Sequence, residues 1–150
     1  MKVRFAKALA TFFYVGEFPV APGTLASAVG ILLVACSFHD LRIYVALTFA
    51  ITAVGIWACD VTEKAVGKKD PGCCVIDEVA GIMVSFFLVP LSWPVVVTGF
   101  FLFRAFDMFK IYPANKLEDM GGGFGIMADD LAAGLYTNLV LQIAIRLAHI

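Results

Sequence analysis

The sequence predicts an all-α fold: a small multi-helix integral membrane protein with about three spanning helices and a Pro-broken re-entrant helical hairpin. Three observations carry that reading. The hydrophobic fraction is 61% and the charged fraction 15%, against about 45–50% and about 25% in soluble domains. Mean hydropathy is +0.92. Long uncharged runs alternate with two polar islands, Asp60–Glu78 and Phe103–Gly134. A very apolar soluble helical protein is the competing class. By length, residues 1–150 make a single domain. The net charge of −1 excludes nucleic acid as a natural partner, which calls for a basic face.

The elements follow in order. Residues 1–17 carry Lys2, Arg4 and Lys7, but Glu17 interrupts before an apolar core develops, so a cleaved signal peptide is not expected. The segment reads as an interfacial amphipathic helix with Phe5, Leu9, Phe12 and Phe13 toward lipid. Phe18–Phe38 is uncharged and long enough to cross about 30 Å of hydrocarbon. Its Pro19 and Pro22-Gly23 are turn-like, which places the helix start near Thr24. His39, Asp40 and Arg42 form a polar turn, and Ile43–Cys59 is a second uncharged run.

Val79–Phe103 carries no charge, yet Pro90, Ser92 and Pro94 break its middle. Each half would span only about 16 Å at 1.5 Å per residue, so the run is either a re-entrant hairpin or one kinked crossing. A hairpin is favoured because it returns both polar islands to one face. It also sorts the basic residues: only Arg42 and Arg146 then lie opposite the rest, which makes the rich side cytoplasmic. Leu131–Ile145 opens the last helix.

The four cysteines, Cys36, Cys59, Cys73 and Cys74, show no C-x-x-C spacing. Reduced thiols are expected, with neither zinc nor a disulfide framework. The histidines, His39 and His149, lie in the distal turn and at the C-terminus, which argues against a histidine nucleophile. No D-x-D-x-T element is present. Cys36–Arg42 spells C-x5-R, but it has no glycine to shape a phosphate cradle and falls at the wrong face.

The polar islands hold the chemistry. Asp70-Pro71-Gly72 is a turn, and Asp77-Glu78 opens a helix, where capping and the macrodipole explain one acid better than three. Arg104, Asp107 and Lys110 recur at i, i+3 and i+6 and share one helical side; a solvated face with a salt bridge is the plain alternative. Gly121, Gly122, Gly123 and Gly125 read as a loop whose amides can approach a ligand, followed by Asp129-Asp130. Clustered carboxylates suit a hard cation such as Mg²⁺, and Arg and Lys suit a phosphate dianion. These are the parts for phosphoryl-group chemistry on a lipid. An ion pathway would need charges within the spans, and these lie outside them.

The same residues resemble the phosphatidylglycerophosphatase A lipid phosphatases over most of the chain. Ala21-Pro22-Gly23-Thr24 with Ser27 resembles the family's first element. Lys69-Asp70-Pro71-Gly72 with Val75 to Gly81 resembles the second. Phe103-Arg104-x-Phe106-Asp107-x-x-Lys110, Pro113, and Gly121-Gly122 through Gly125-Ile126-Met127-x-Asp129-Asp130-x-x-Ala133-Gly134 resemble the long third. Ala26 and Ile111 depart from it, standing where the family usually has Gly and Pro.

The resemblance implies an all-helical, Mg²⁺-dependent phosphomonoesterase of a bacterial inner membrane, multi-pass and surrounded by membrane lipids. It would convert phosphatidylglycerophosphate to phosphatidylglycerol and phosphate at the cytoplasmic face. On that reading Asp77, Glu78, Asp129 and Asp130 gather around Mg²⁺, with Asp70 a further candidate. Arg104, Lys110 and the amides of Gly121 to Gly125 hold the phosphate, and Asp107 orients Arg104 or activates water. Catalytic roles fall to Asp107, Asp77 and Asp130. With no activated Ser, Cys or His, attack by water is expected over a covalent intermediate, the aspartates themselves remaining open as nucleophiles. The alternatives are a non-enzymatic membrane scaffold, a small ion-conducting subunit, or a phosphatase for another lipid phosphate.

Overall fold

Proline and glycine set most of the helix boundaries. In the computed structural model, which describes residues 1–148, the chain forms α1 (Lys2–Ala10), α2 (Pro22–Ser37), α3 (Leu41–Val66), α4 (Ile76–Ser85), α5 (Trp93–Phe109), α6 (Ala114–Glu118) and α7 (Gly122–Leu147). No strand occurs among the described residues. Pro22 takes the first helical position of α2 behind a left-handed Ala21, where its missing N–H costs nothing. Asp40 caps α3 by accepting from the amides of Arg42 and Ile43, and α3 ends at Gly67 with φ +71°. Pro94 lies in the first turn of α5. His149 lies outside the described residues.

Helix α4 is the hub. Of its ten residues only Glu78 and Val84 are not fully buried, and it packs against α2, α3, α5 and α7. Close approach is built in by glycines: a Cβ on Gly30 of α2 would crowd Ile82, and one on Gly134 of α7 would overlap the Gly81 carbonyl. Val79, Ala80, Ile82, Met83, Phe86, Phe103 and Met127 fill the centre.

The broken run folds back on itself. Gly81 meets the Phe103 ring, Gly99 meets the Phe86 ring, and Glu78 lies 3.9 Å from Arg104. These pairings run antiparallel, so α4 and α5 return both polar islands to one end. Asn138 of α7 spans the break by donating to the carbonyls of Ser85 and Phe87 at 3.1 and 2.8 Å. The N-terminal segment joins the same end, where the Val75 amide donates to the Ala10 carbonyl and Lys7 pairs with Glu17 at 2.7 Å.

Two expectations are corrected. Residues 1–17 are not one amphipathic helix: α1 stops at Ala10, and Phe12, Phe13 and Tyr14 take left-handed backbone. Phe5 and Phe13 point outward, whereas Leu9 and Phe12 pack on the core. The glycine segment is not a loop, because α7 begins at Gly122. Among the described residues one helix, α3, is long and apolar enough to cross a membrane; α2 is a shorter apolar helix, and α7 matches α3 in length but carries Asp129 and Asp130. All four cysteines are free, and Cys59 and Cys74 are buried.

Candidate active site

Three helices deliver charged side chains to the polar end. The first turn of α4 brings Asp77 and Glu78, the last turns of α5 bring Arg104 and Asp107, and α7 brings Asp129 and Asp130. Lys110 follows α5 in left-handed backbone. Carboxylate oxygens of Asp77, Glu78 and Asp130 lie within 4.8 Å of one another. Asp77 and Asp130 are 7% and 3% exposed. Aspartates this deep in a helical interface are rare unless paired or ligating.

Charge pairing divides the remaining residues. Arg104 Nη1 lies 2.6 Å from Asp107 Oδ2 and 3.9 Å from Glu78 Oε1, placing a guanidinium against the cluster. Asp107 therefore orients Arg104, and it is close enough to Asp130 to help raise that carboxyl. Asp129 stands apart from the three-acid group: its Oδ2 accepts from Lys110 at 2.9 Å, and its Oδ1 accepts from the Asp130 amide. Asp70 sits outside the group too, yet its charge reaches Asp77 and Asp129.

Burial and mutual repulsion dominate the electrostatics of these acids. Burial raises Asp77 well above the carboxylate range, with Glu78 and Asp130 adding to it. Burial, then Asp107 and Glu78, does the same for Asp130. Burial pushes Glu78 up to about 7 and Asp129 up to about 6, with Lys110 opposing the latter shift. All four precede the apolar runs that begin at Val79 and Leu131. Asp77 Oδ1, Glu78 Oε2 and Asp130 Oδ2 are buried with no hydrogen-bond partner. Three clustered acids, each with a buried oxygen that has no hydrogen-bond partner, match the oxygen-rich set a hard divalent cation takes.

The glycine segment packs on α3. Gly121 and Gly122 have φ of +70° and +63°, which lets the chain turn into α7. Gly123 sits so close to α3 that a Cβ would overlap the Ile56 carbonyl, and Gly122 faces Asp60. Gly125 is buried in the same turn, its amide bonded to the Gly121 carbonyl. From Gly123 to Asp130 is about 10 Å of helix. The segment's role here is to seat α7 on α3.

The N-terminus of α2 reaches the site, and charge patterning alone did not place it there. A Cβ on Gly23 would overlap Glu78 Oε1 and lie 3.3 Å from Arg104 Nη1. The available signal was Pro22-Gly23 at a helix start, which marks a helix end but not what it faces. Gly23→Ala is expected to leave the melting temperature nearly unchanged, because Glu78 is a flexible side chain that can move. Displacing that carboxylate should weaken divalent-cation binding about 10–100-fold, as for other disturbances of a metal's supporting shell. Titration calorimetry with Mg²⁺ checks it.

The family model for phosphatidylglycerophosphatase A matches residues 8–145 of this chain. The chain belongs to the phosphatidylglycerophosphatase A family. With that family it is a lipid phosphatase. It is 34% identical over 137 residues to phosphatidylglycerophosphatase A of Haemophilus influenzae, covering 89% of this chain and 84% of that protein. It is 32% identical over 136 residues to the Escherichia coli protein of the same name, covering 89% and 79%. It is also 35% identical over 150 residues to a putative phosphatidylinositol-3-phosphatase of Bacteroides thetaiotaomicron, covering 91% of each chain. No solved structure matches. In this phosphatidylglycerophosphatase A relative, the three family elements named above converge: Gly23 from the first, Asp77 and Glu78 from the second, Arg104, Asp107 and Asp130 from the third.

Proposed function

We propose that the chain hydrolyses the terminal phosphomonoester of phosphatidylglycerophosphate, giving phosphatidylglycerol and inorganic phosphate, with Mg²⁺ as cofactor. The convergence of Asp77, Glu78 and Asp130 with orphaned, buried oxygens carries the reading. These three would hold Mg²⁺, which when bound offsets phosphate charge and makes a coordinated water more acidic. Arg104, half-sheltered beside Glu78, donates to the phosphate and balances its charge. Asp107 fixes that guanidinium and accepts a proton from the incoming water. Lys110, held by Asp129, adds positive charge at the rim. Water oxygen bonds to phosphorus as the phosphorus–oxygen bond to the glycerol breaks, and the glycerol oxygen takes up, through solvent, the proton that Asp107 accepted from the water.

A membrane setting is part of the proposal. Large apolar side chains are exposed along α2, α3, α5 and α7, among them Leu32, Phe49, Phe101, Leu139 and Ile143, more than a water-facing surface ordinarily shows. The acids gather at one end, where α1 and its Lys2, Arg4 and Lys7 also lie. By the positive-inside tendency that end faces the cytoplasm of a bacterial inner membrane.

Head-group choice is the branch point, because one relative is named for a phosphoinositide. Phosphate release in mixed micelles from phosphatidylglycerophosphate, phosphatidylinositol 3-phosphate and phosphatidic acid ranks them. Phosphatidylglycerophosphate is expected to have the highest kcat/KM; preference for the phosphoinositide overturns the substrate and retains the enzyme class.

Removing the cation has an expected signature in stability. The folded-state carboxyls are raised, so between about pH 4 and about pH 7 the folded protein holds protons that the unfolded chain has released. Stability of the metal-free protein therefore falls as pH rises through that window. In EDTA the melting temperature should drop by several degrees from pH 5 to pH 8. Mg²⁺ should remove the drop, since it stabilises the ionised acids. A metal-free melting curve that rises with pH would contradict the buried-acid account.

A further inference from the structure

Away from the acids, α3, α4 and α7 enclose a groove of about 370 Å³. Several of its lining residues carry polar atoms, but the groove presents hydrocarbon because those atoms are engaged elsewhere. Tyr44 donates to the Met83 carbonyl, Thr48 and Thr52 donate back to their own helix, and Asn138 donates to Ser85 and Phe87. The wall offers a ligand no free donor, so its occupant is apolar.

Placement identifies which apolar occupant. On α4 the groove is lined by Met83 and Val84, with Phe87 in the turn just beyond the helix; Val84 follows Asp77 by seven residues, which puts these two on one helical face. Its near end, at Leu135 of α7, lies about 8 Å along the helix from Asp130, and its far end, at Tyr44, about 12 Å beyond Thr52. The separation from the acids suits a glycerol backbone, and the direction runs with the helices, away from the polar end. Charge complements this: Arg104 and the cation-ready acids suit an anionic head, the groove a hydrocarbon tail. A second copy of the chain fits less well, because ten lining residues fall short of the roughly 20–30 per side of a stable interface.

We infer that this groove holds one acyl chain of the phospholipid substrate and makes the enzyme selective for long-chain lipid over soluble phosphomonoesters. The inference rests on the lipid-phosphatase reading and adds the tail to it. Filling the groove tests it. Val84→Phe narrows the α4 wall, and Leu135→Trp acts at a rim position that is 51% exposed, so the fold tolerates the larger ring. The measurement is kcat/KM for dihexadecanoyl over dihexanoyl phosphatidylglycerophosphate, the short-chain form presented as monomer. Each variant is expected to lower that ratio about tenfold relative to the unsubstituted protein. An unchanged ratio, or a change in oligomeric state on filling, overturns the inference.

Failure of the substrate reading is separable. If the unsubstituted protein hydrolyses neither lipid, phosphatidylglycerophosphate carrying a diazirine in one acyl chain is photolysed in its presence and the adducts are mapped. Labels concentrated on Val84, Phe87 and Leu135 support the groove; labels spread equally over Trp93 and Phe101 of α5 overturn it.

Discussion

Asp77→Asn and Asp130→Asn are each expected to lower turnover by about a thousandfold or more while the protein still folds. Each removes one of three converging carboxylates, and a bound cation supplies several kcal/mol of transition-state stabilisation, at 1.36 kcal/mol per tenfold. The fold should survive because the change neutralises a buried charge that burial already disfavours. In EDTA at pH 8 the melting temperature of either variant should equal or exceed that of the unsubstituted protein. Asp129→Asn is the informative contrast. Its carboxylate serves Lys110 and the Asp130 amide, so the expected loss is about 10–100-fold, that of a supporting group. Equal losses for Asp129 and Asp130 would mean that both ligate directly.

Gly134→Ala is expected to damage folding rather than chemistry. A Cβ at this position would overlap the carbonyl of Gly81, which is backbone of the buried hub helix and cannot swing aside. Overpacking costs typically 1–3 kcal/mol and occasionally more; a backbone clash at the α4–α7 seam belongs at the upper end, about 3 kcal/mol. For a chain of this length that corresponds to a melting temperature lower by about 10 °C. Thermal unfolding in detergent reads it, and Gly23→Ala is the control. The two glycines separate cleanly on paper: Gly134 faces main chain, whereas Gly23 faces the end of the Glu78 side chain.

Much of this architecture is legible in the sequence because charge and hydropathy separate so strongly. Pro90 and Pro94 mark the α4–α5 break, and the two flanking islands require a chain reversal if their acids are to meet; Glu78 beside Arg104 shows the reversal. The glycine segment misleads for a physical reason. Glycine costs about 1 kcal/mol in a helix interior relative to alanine, so a run of them reads as loop. Tertiary packing overrides that cost here, because only glycine lets α7 approach the α3 backbone at Ile56. Asp129 and Asp130 are indistinguishable by composition. The helix rotates them about 100° apart, sending one to the acids and the other to Lys110. Gly23 was visible as a helix start, but its partner is 55 residues away in sequence, and no local pattern announces that contact.

Phosphate release from phosphatidylglycerophosphate in detergent micelles, with Mg²⁺ or with EDTA, tests the central claim most directly when Asp130→Asn is run alongside. The account predicts release that requires both the cation and Asp130, with the variant folded by its melting curve. Release that persists in EDTA, or at near-normal rate in the folded Asp130→Asn protein, would contradict a cation held by Asp77, Glu78 and Asp130.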